Sequence, residues 1–350
     1  MQKKGGVRIE LIDLVKAVTI FLVILGHTAA NEATPLYRRI LYSFHMPLFF
    51  FLAGLSIRPE PIHGRDGWQT FLRKNILAIV VPYLIWGLIY APFSFDRFPK
   101  LFYASWSSLV AMETLTSLWY LPALFTARIL VQAVVSYCGA SDPDRIRSLC
   151  AYAAVPMFLI GFLCPRMENG YPWCLDVGFV AAGFILLGIA LRHKILIFAQ
   201  ETGMKLGAAF VLACVLFYLG SAGRGDALEL SLMCDGRYGN IFWFLMNTVF
   251  GSMTVICFCM ILARIAREGA RPFSVSAVTC IGAHTMGIFL IHKNLVFQLI
   301  LPWIRSFLPG MEFFTAFLAS CAALAASLWL CLLIERYVPQ MLGQFPRYDA

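Results

Sequence analysis

The chain has 350 residues, 60% of them hydrophobic and 13% charged, with a mean hydropathy of +0.76 and a formal net charge of +9. A soluble globular domain carries roughly a quarter of its residues as Asp, Glu, Lys and Arg, so this composition excludes that class. The positive charge is read as membrane topology and contact with anionic lipid, and no nucleic-acid partner is expected.

Windows of about twenty apolar residues predict an all-α polytopic membrane protein, about ten transmembrane helices around a polar interior, in one membrane domain over residues 1–350. The spans fall near 11–30, 40–58, 76–93, 117–138, 149–164, 174–192, 205–221, 241–264, 277–299 and 313–335. The shorter apolar run Leu101–Met112 is expected at the interface. With the N-terminus cytoplasmic, the outer segments hold eight of the 28 Lys and Arg residues: Arg38, Arg39, Arg97, Lys100, Arg166, Arg224, Arg237 and Arg305. Lys16, Arg128 and Lys293 fall within spans, which leaves seventeen in the inner segments and places both termini in the cytoplasm of a cell inner (plasma) membrane.

The first span, LIDLVKAVTIFLVILGHTAA, carries Asp13, Lys16 and His27 into hydrocarbon. At about 100° per residue the three fall within about 60° of one another, so they share a face. The step from Lys16 to His27 covers roughly 16 Å, which puts the charged pair near one surface and the histidine far from it. Ionisable groups in a span point into a bundle or a wet cavity, so this face does not meet lipid. Lys3 and Lys4 ahead of an apolar stretch imitate a signal peptide, but a cleavable segment would not contain Asp13 and Lys16, so the span is read as a signal anchor.

In the second span, YSFHMPLFFFLAGLSIR, Pro47 beside His45 frees a backbone carbonyl, while Ala53 and Gly54 permit close helix approach. His45 is either a satisfied core histidine or, from its outer location, a residue near an acceptor. The inner loop that follows holds Arg58, Arg65, Arg73 and Lys74. Point charges beside a helix end suit phosphate, although the positive-inside rule alone accounts for basic residues here.

The fourth span, SLWYLPALFTARIL, joins Trp119, Tyr120 and Pro122 to an intramembrane Arg128, which either snorkels or meets an anion. The eleven cysteines form no C-x-x-C pair and read as buried thiols, with Cys164 and Cys174 the alternative disulfide pair across a short outer loop. The longest outer loop, about Ala222–Asn240, mixes turn residues and both signs of charge, and is either a binding surface or free to drift. The ninth span, CIGAHTMGIFLIHKNL, brings His284 and His292 about 80° apart, followed by Lys293 and Asn294. Four of the six histidines are then intramembrane, a number that suggests proton handling or a metal. The chain contains no H-x-x-x-H, H-E-x-x-H, G-x-S-x-G or Walker motif, so no metal is expected and hydrolase or nucleotide-driven chemistry is disfavoured.

Taken in order, LIDLVKAVTIFLVILGH, YSFHMPLFFFLAG, VPYLIWG at Val81–Gly87, SLWYLPALF, GRYGNIFWFL at Gly236–Leu245 and IGAHTMGIFLIH resemble the acyltransferase-3 family of integral-membrane acyltransferases, in particular its fucose 4-O-acetylase-like branch. The resemblance implies an O-acetyltransferase moving acetyl from cytoplasmic acetyl-CoA to a hydroxyl of a cell-envelope or secreted glycan or glycolipid. The family pattern of Arg, ten residues, His falls on Lys16 and His27. Lysine keeps the positive charge but not the bidentate fork that arginine offers a phosphate.

On that view Lys16, Arg128, Arg58, Arg73 and Lys74 hold the acyl-CoA donor, and Asp13 fixes Lys16. His27, with the unperturbed histidine pKa near 6.5, acts as general base or as acyl carrier. His45, Trp119, Tyr120, His284 and His292 line the cavity or stabilise the thioester oxyanion. The competing class is a transporter or uptake module with the same polar interior, against which stands the missing internal repeat. A purely structural subunit of a glycan-export complex is the third option.

Overall fold

The computed structural model describes residues 6–28, 35–91, 95–112, 114–137, 142–268, 273–295, 299–307 and 312–345. Among them there is no strand, and the chain is an all-α polytopic membrane protein. It opens with α1 (Gly6–His27), α2 (Leu36–Tyr42), α3 (His45–Ser56), α4 (Gly64–Asn75) and α5 (Val81–Tyr90). Two short helices, α6 (Phe98–Tyr103) and α7 (Trp106–Val110), precede α8 (Tyr120–Tyr137), α9 (Pro143–Leu163), α10 (Leu175–Phe198) and α11 (Gly203–Gly220). The remainder is α12 (Ile241–Glu268), α13 (Phe273–Ala283), α14 (Thr285–Leu295), α15 (Leu301–Phe307) and α16 (Glu312–Tyr337).

Among the described residues, 8 helical stretches are long and apolar enough to cross a membrane: Leu36–Ser56, Gly64–Tyr90, Thr116–Tyr137, Pro143–Leu163, Pro172–Phe198, Gly203–Ala227, Ile241–Glu268 and Phe313–Tyr337. They correspond to the second to eighth and the tenth of the spans read from the sequence. The first and ninth fall outside this group for physical reasons. In α1, Glu10, Asp13 and Lys16 raise the charge of a 22-residue helix, and the ninth span is broken at His284 into two 11-residue helices, α13 and α14. The run Leu101–Met112 forms parts of α6 and α7, far too short to span.

The fold divides into two compact units. The first comprises Met1–Leu52, Leu191–Leu232 and Tyr238–Leu328. Its centre is α1, packed against α13 and also meeting α12, α14 and α2. Leu14, Val15, Ile20, Val23 and Ile24 are buried there. The closest approach is at Gly282 of α13, where an added Cβ would lie 1.9 Å from the Asp13 carbonyl oxygen. Helices without a hydrophobic driving force between them associate through such small-residue contacts.

The proline of the second span acts in this unit. Pro47 has no N–H for the carbonyl of Ser43, and the Thr248 hydroxyl of α12 donates to that oxygen instead, at 3.1 Å. The stranded backbone group thereby becomes an interhelical tie.

The second unit comprises Ala53–Ala190, Met233–Arg237 and Trp329–Ala350. Gly54 meets α10 closely, since its Cβ would lie 2.1 Å from the Ile185 carbonyl oxygen. Asp142 caps α9 by accepting from the Arg145 amide at 3.0 Å, with Pro143 at the first helical position, where its missing N–H costs nothing. The described cysteines are all free thiols, so the Cys164–Cys174 alternative is not realised; the Cys174 thiol donates to the Ala104 carbonyl at 3.3 Å.

Candidate active site

In the first unit, α1 carries an ion pair midway along its length and a histidine at its end. Lys16 Nζ lies 3.6 Å from Asp13 Oδ1, one turn apart and both largely buried. His27 is the last residue of α1, eleven residues and roughly 16 Å further along the axis.

Around His27 the fold assembles a ring of aromatic and basic groups. The Tyr42 hydroxyl lies 3.4 Å from His27 Nδ1, and the His45 ring lies 5.0 Å from that of Tyr42, edge to face. Gly26 makes this possible, since its Cβ would stand 3.1 Å from the Tyr42 ring. His292 of α14 comes from the opposite end of the sequence to within 5.4 Å of His27, ring centroid to centroid. The Arg38 guanidinium lies 5.0 Å from the centre of the Tyr42 ring, in cation–π contact. Its neighbour Arg39 holds the loop after α11, donating to Asp226 Oδ1 at 3.2 Å and to the Leu228 carbonyl at 3.1 Å.

Hydrogen bonding settles the tautomers of two of these histidines. His45 Nδ1 faces the Leu41 carbonyl, and His292 Nδ1 faces the carbonyls of Phe289 at 2.9 Å and Ile288 at 3.2 Å. A carbonyl only accepts, so Nδ1 carries the proton and the lone pair of each neutral ring is on Nε2. His292 is completely buried, and its Nε2 has no partner among the described residues. A buried acceptor left unmade costs about 1–3 kcal/mol, so this nitrogen stands ready for a donor. His284, at the break between α13 and α14, is held by its Nδ1 on the Cys280 carbonyl at 2.7 Å. Among the described residues no three His, Cys, Asp or Glu side chains are grouped to hold a metal.

The remaining candidates belong to the second unit. Trp119 and Tyr120 are buried where a 3₁₀ turn passes into α8, and Arg128 is half-buried on α8 within electrostatic reach of Tyr120. Arg58 is exposed on the segment after α3, which is pinned to α8 by Gln132 Nε2 donating to the Glu60 carbonyl at 2.8 Å and by the Ile62 amide donating to Ser136 at 3.0 Å. Arg73 and Lys74 are exposed in the last turn of α4, where positive charge complements the helix dipole.

The structure therefore brings His27, His45 and His292 together and leaves Asp13 and Lys16 about half the length of α1 away. Tyr42 and Arg38 are the members that reasoning from sequence missed. Their signal was the helical spacing: Arg38 is four residues before Tyr42, and Tyr42 three before His45, so all three line one face.

A single-helix cation and histidine with this spacing, inside an all-α membrane fold, agree with what sequence comparison finds. Residues 9–336 match a family described as an acyltransferase domain. The chain belongs to this family, acyltransferase-3. Two relatives are both called nodulation protein NolL. The protein from Mesorhizobium japonicum is 27% identical over 193 residues, 52% of this chain and 50% of its own length. That from Sinorhizobium fredii is 23% identical over 216 residues, 59% of this chain and 56% of its own. This acyltransferase-3 chain thus spans about half the length of the curated relatives it matches. No solved structure matches it.

Proposed function

We propose that this chain is a membrane O-acyltransferase of one domain, in the fucose 4-O-acetylase-like branch, carrying acetyl from acetyl-CoA to a hydroxyl of a cell-envelope or secreted glycan. The single observation behind this is the placing of a cation midway along α1 and a histidine at its end, three turns apart on one face, with the histidine set beside the buried imidazoles of His45 and His292. A pantetheine arm is long and thin enough to run along such a helix. Lys16, steadied by Asp13, meets the phosphate end, with Arg128, Arg58, Arg73 and Lys74 as the further basic candidates.

At the far end the thioester arrives at His27. With Nδ1 engaged by Tyr42, Nε2 is the nitrogen left for chemistry, either to take the hydroxyl proton or to receive the acyl group. His45, His284 and His292 are the further residues of the first unit proposed to serve the reaction, and Trp119 and Tyr120 are the candidates from the second. The proposed orientation has both termini cytoplasmic in the inner membrane, with the donor entering from that side.

The test is transfer of radiolabelled acetyl from acetyl-CoA into glycan by membranes holding wild type, His27→Ala or Lys16→Ala. The expected result is loss of transfer with His27→Ala at unchanged protein level, and a raised KM for acetyl-CoA with Lys16→Ala. Equal labelling by wild type and His27→Ala would overturn the assignment and favour a transport role for the same polar residues.

A further inference from the structure

The acyl-transfer reading leaves one nitrogen unused. His292 Nε2 is buried, has no partner among the described residues and, by the hydrogen bonds of its Nδ1, presents a lone pair. It belongs to the imidazole that lies 5.4 Å from that of His27, tilted by 40°. A ring nitrogen and its hydrogen bond together reach about 4 Å from the ring centre, so one oxygen can lie within reach of both rings. We propose that His292 is the base that takes the proton of the acceptor hydroxyl, which frees His27 to act on the thioester. This deepens the acyltransferase reading and rests on it.

The step conserves atoms and charge. The hydroxyl O–H bond breaks, its proton moves to His292 Nε2, and the oxygen bonds to the acyl carbon. In direct transfer the C–S bond of the thioester breaks, and its electron pair leaves on sulfur. Where His27 first carries the acyl group, the C–S bond breaks as His27 attacks. The C–N bond to the imidazole then breaks when the hydroxyl adds, and its electron pair returns to nitrogen. In both orders the proton on His292 passes to the thiolate of CoA, and the products are the ester and the free thiol.

The test separates alcohols from nucleophiles that need no base. Membranes holding wild type, His292→Asn, His292→Gln or His27→Ala receive radiolabelled acetyl-CoA, and label is followed into glycan and into hydroxylamine. Asparagine keeps an N–H near Nδ1 for the carbonyls of Phe289 and Ile288, and glutamine keeps an amide near Nε2, but neither takes up a proton. The expected result is a loss of glycan labelling of about 10²–10⁴-fold in both His292 variants, the range that a general base supplies. Acetylation of hydroxylamine is expected to persist in both and to vanish with His27→Ala.

Equal loss of both activities in the His292 variants would make the residue structural or donor-binding and overturn the proposal. Full glycan transfer by His292→Asn would overturn it too, since only the Nδ1 contact would then matter. Wild type that labels neither glycan nor hydroxylamine would overturn the acyltransferase reading itself, whatever His292 does.

Discussion

Gly282→Ala adds one methyl group where α13 crosses α1. The new Cβ would lie 1.9 Å from the Asp13 carbonyl oxygen and 2.4 Å from its carbon, both backbone atoms that cannot rotate away. Ordinary contact needs about 3.5 Å, so the two helices must separate locally by about 1.5 Å. Overpacking of this kind costs about 1–3 kcal/mol. At roughly 2–4 °C per kcal/mol the unfolding midpoint of the detergent-solubilised protein falls by about 2–12 °C. A thiol-reactive fluorophore reads the transition, because Cys150, Cys174, Cys257, Cys259 and Cys331 are buried in the folded chain.

Asp13 and Lys16, the proposed donor-binding pair, lie on the displaced stretch, and a shift of about 1 Å in a positioning group costs about a hundredfold in rate, so the proposed acyl transfer should fall as well. Gly207→Ala is the control, since its Cβ would meet nothing within 4 Å. A Gly282→Ala protein that melts and transfers like wild type while Gly207→Ala does the same would refute the close crossing of α1 and α13.

Two other outcomes follow from the site. Tyr42→Phe removes the hydroxyl 3.4 Å from His27 Nδ1 while keeping the ring against His45, and at about 0.5–1.5 kcal/mol for one hydrogen bond it should slow transfer by up to about tenfold. Unchanged kinetics would show that Tyr42 does not orient His27. Arg39→Ala releases the loop after α11 from its contacts with Asp226 and Leu228, so limited proteolysis of the solubilised protein should cut residues 222–232 faster, with little change in the melting midpoint because the Asp226 carboxylate of the pair is fully exposed. Cleavage at the wild-type rate would mean that the loop is held by other contacts.

Composition and the length of the apolar runs together determined that the chain is helical and crosses a membrane, because runs of about twenty apolar residues are long enough to span lipid as helices, in which each backbone group bonds within its own segment. The shared face of Asp13, Lys16 and His27 was equally legible, since helical periodicity is a local property. The order of the motifs pointed to the acyltransferase-3 family to which the chain belongs.

Which helices meet was not legible. Nearly uniform apolar helices carry little periodic signal to say which side faces a neighbour, and packing is decided by a few small residues such as Gly26, Gly54 and Gly282. The break at His284 had no proline to announce it. The approach of His292 to His27 joins residues at opposite ends of the sequence, and the tautomer of His292 depends on which carbonyls lie beneath it. Tertiary structure alone decides such facts, because they depend on distances between helices and not on spacing along one.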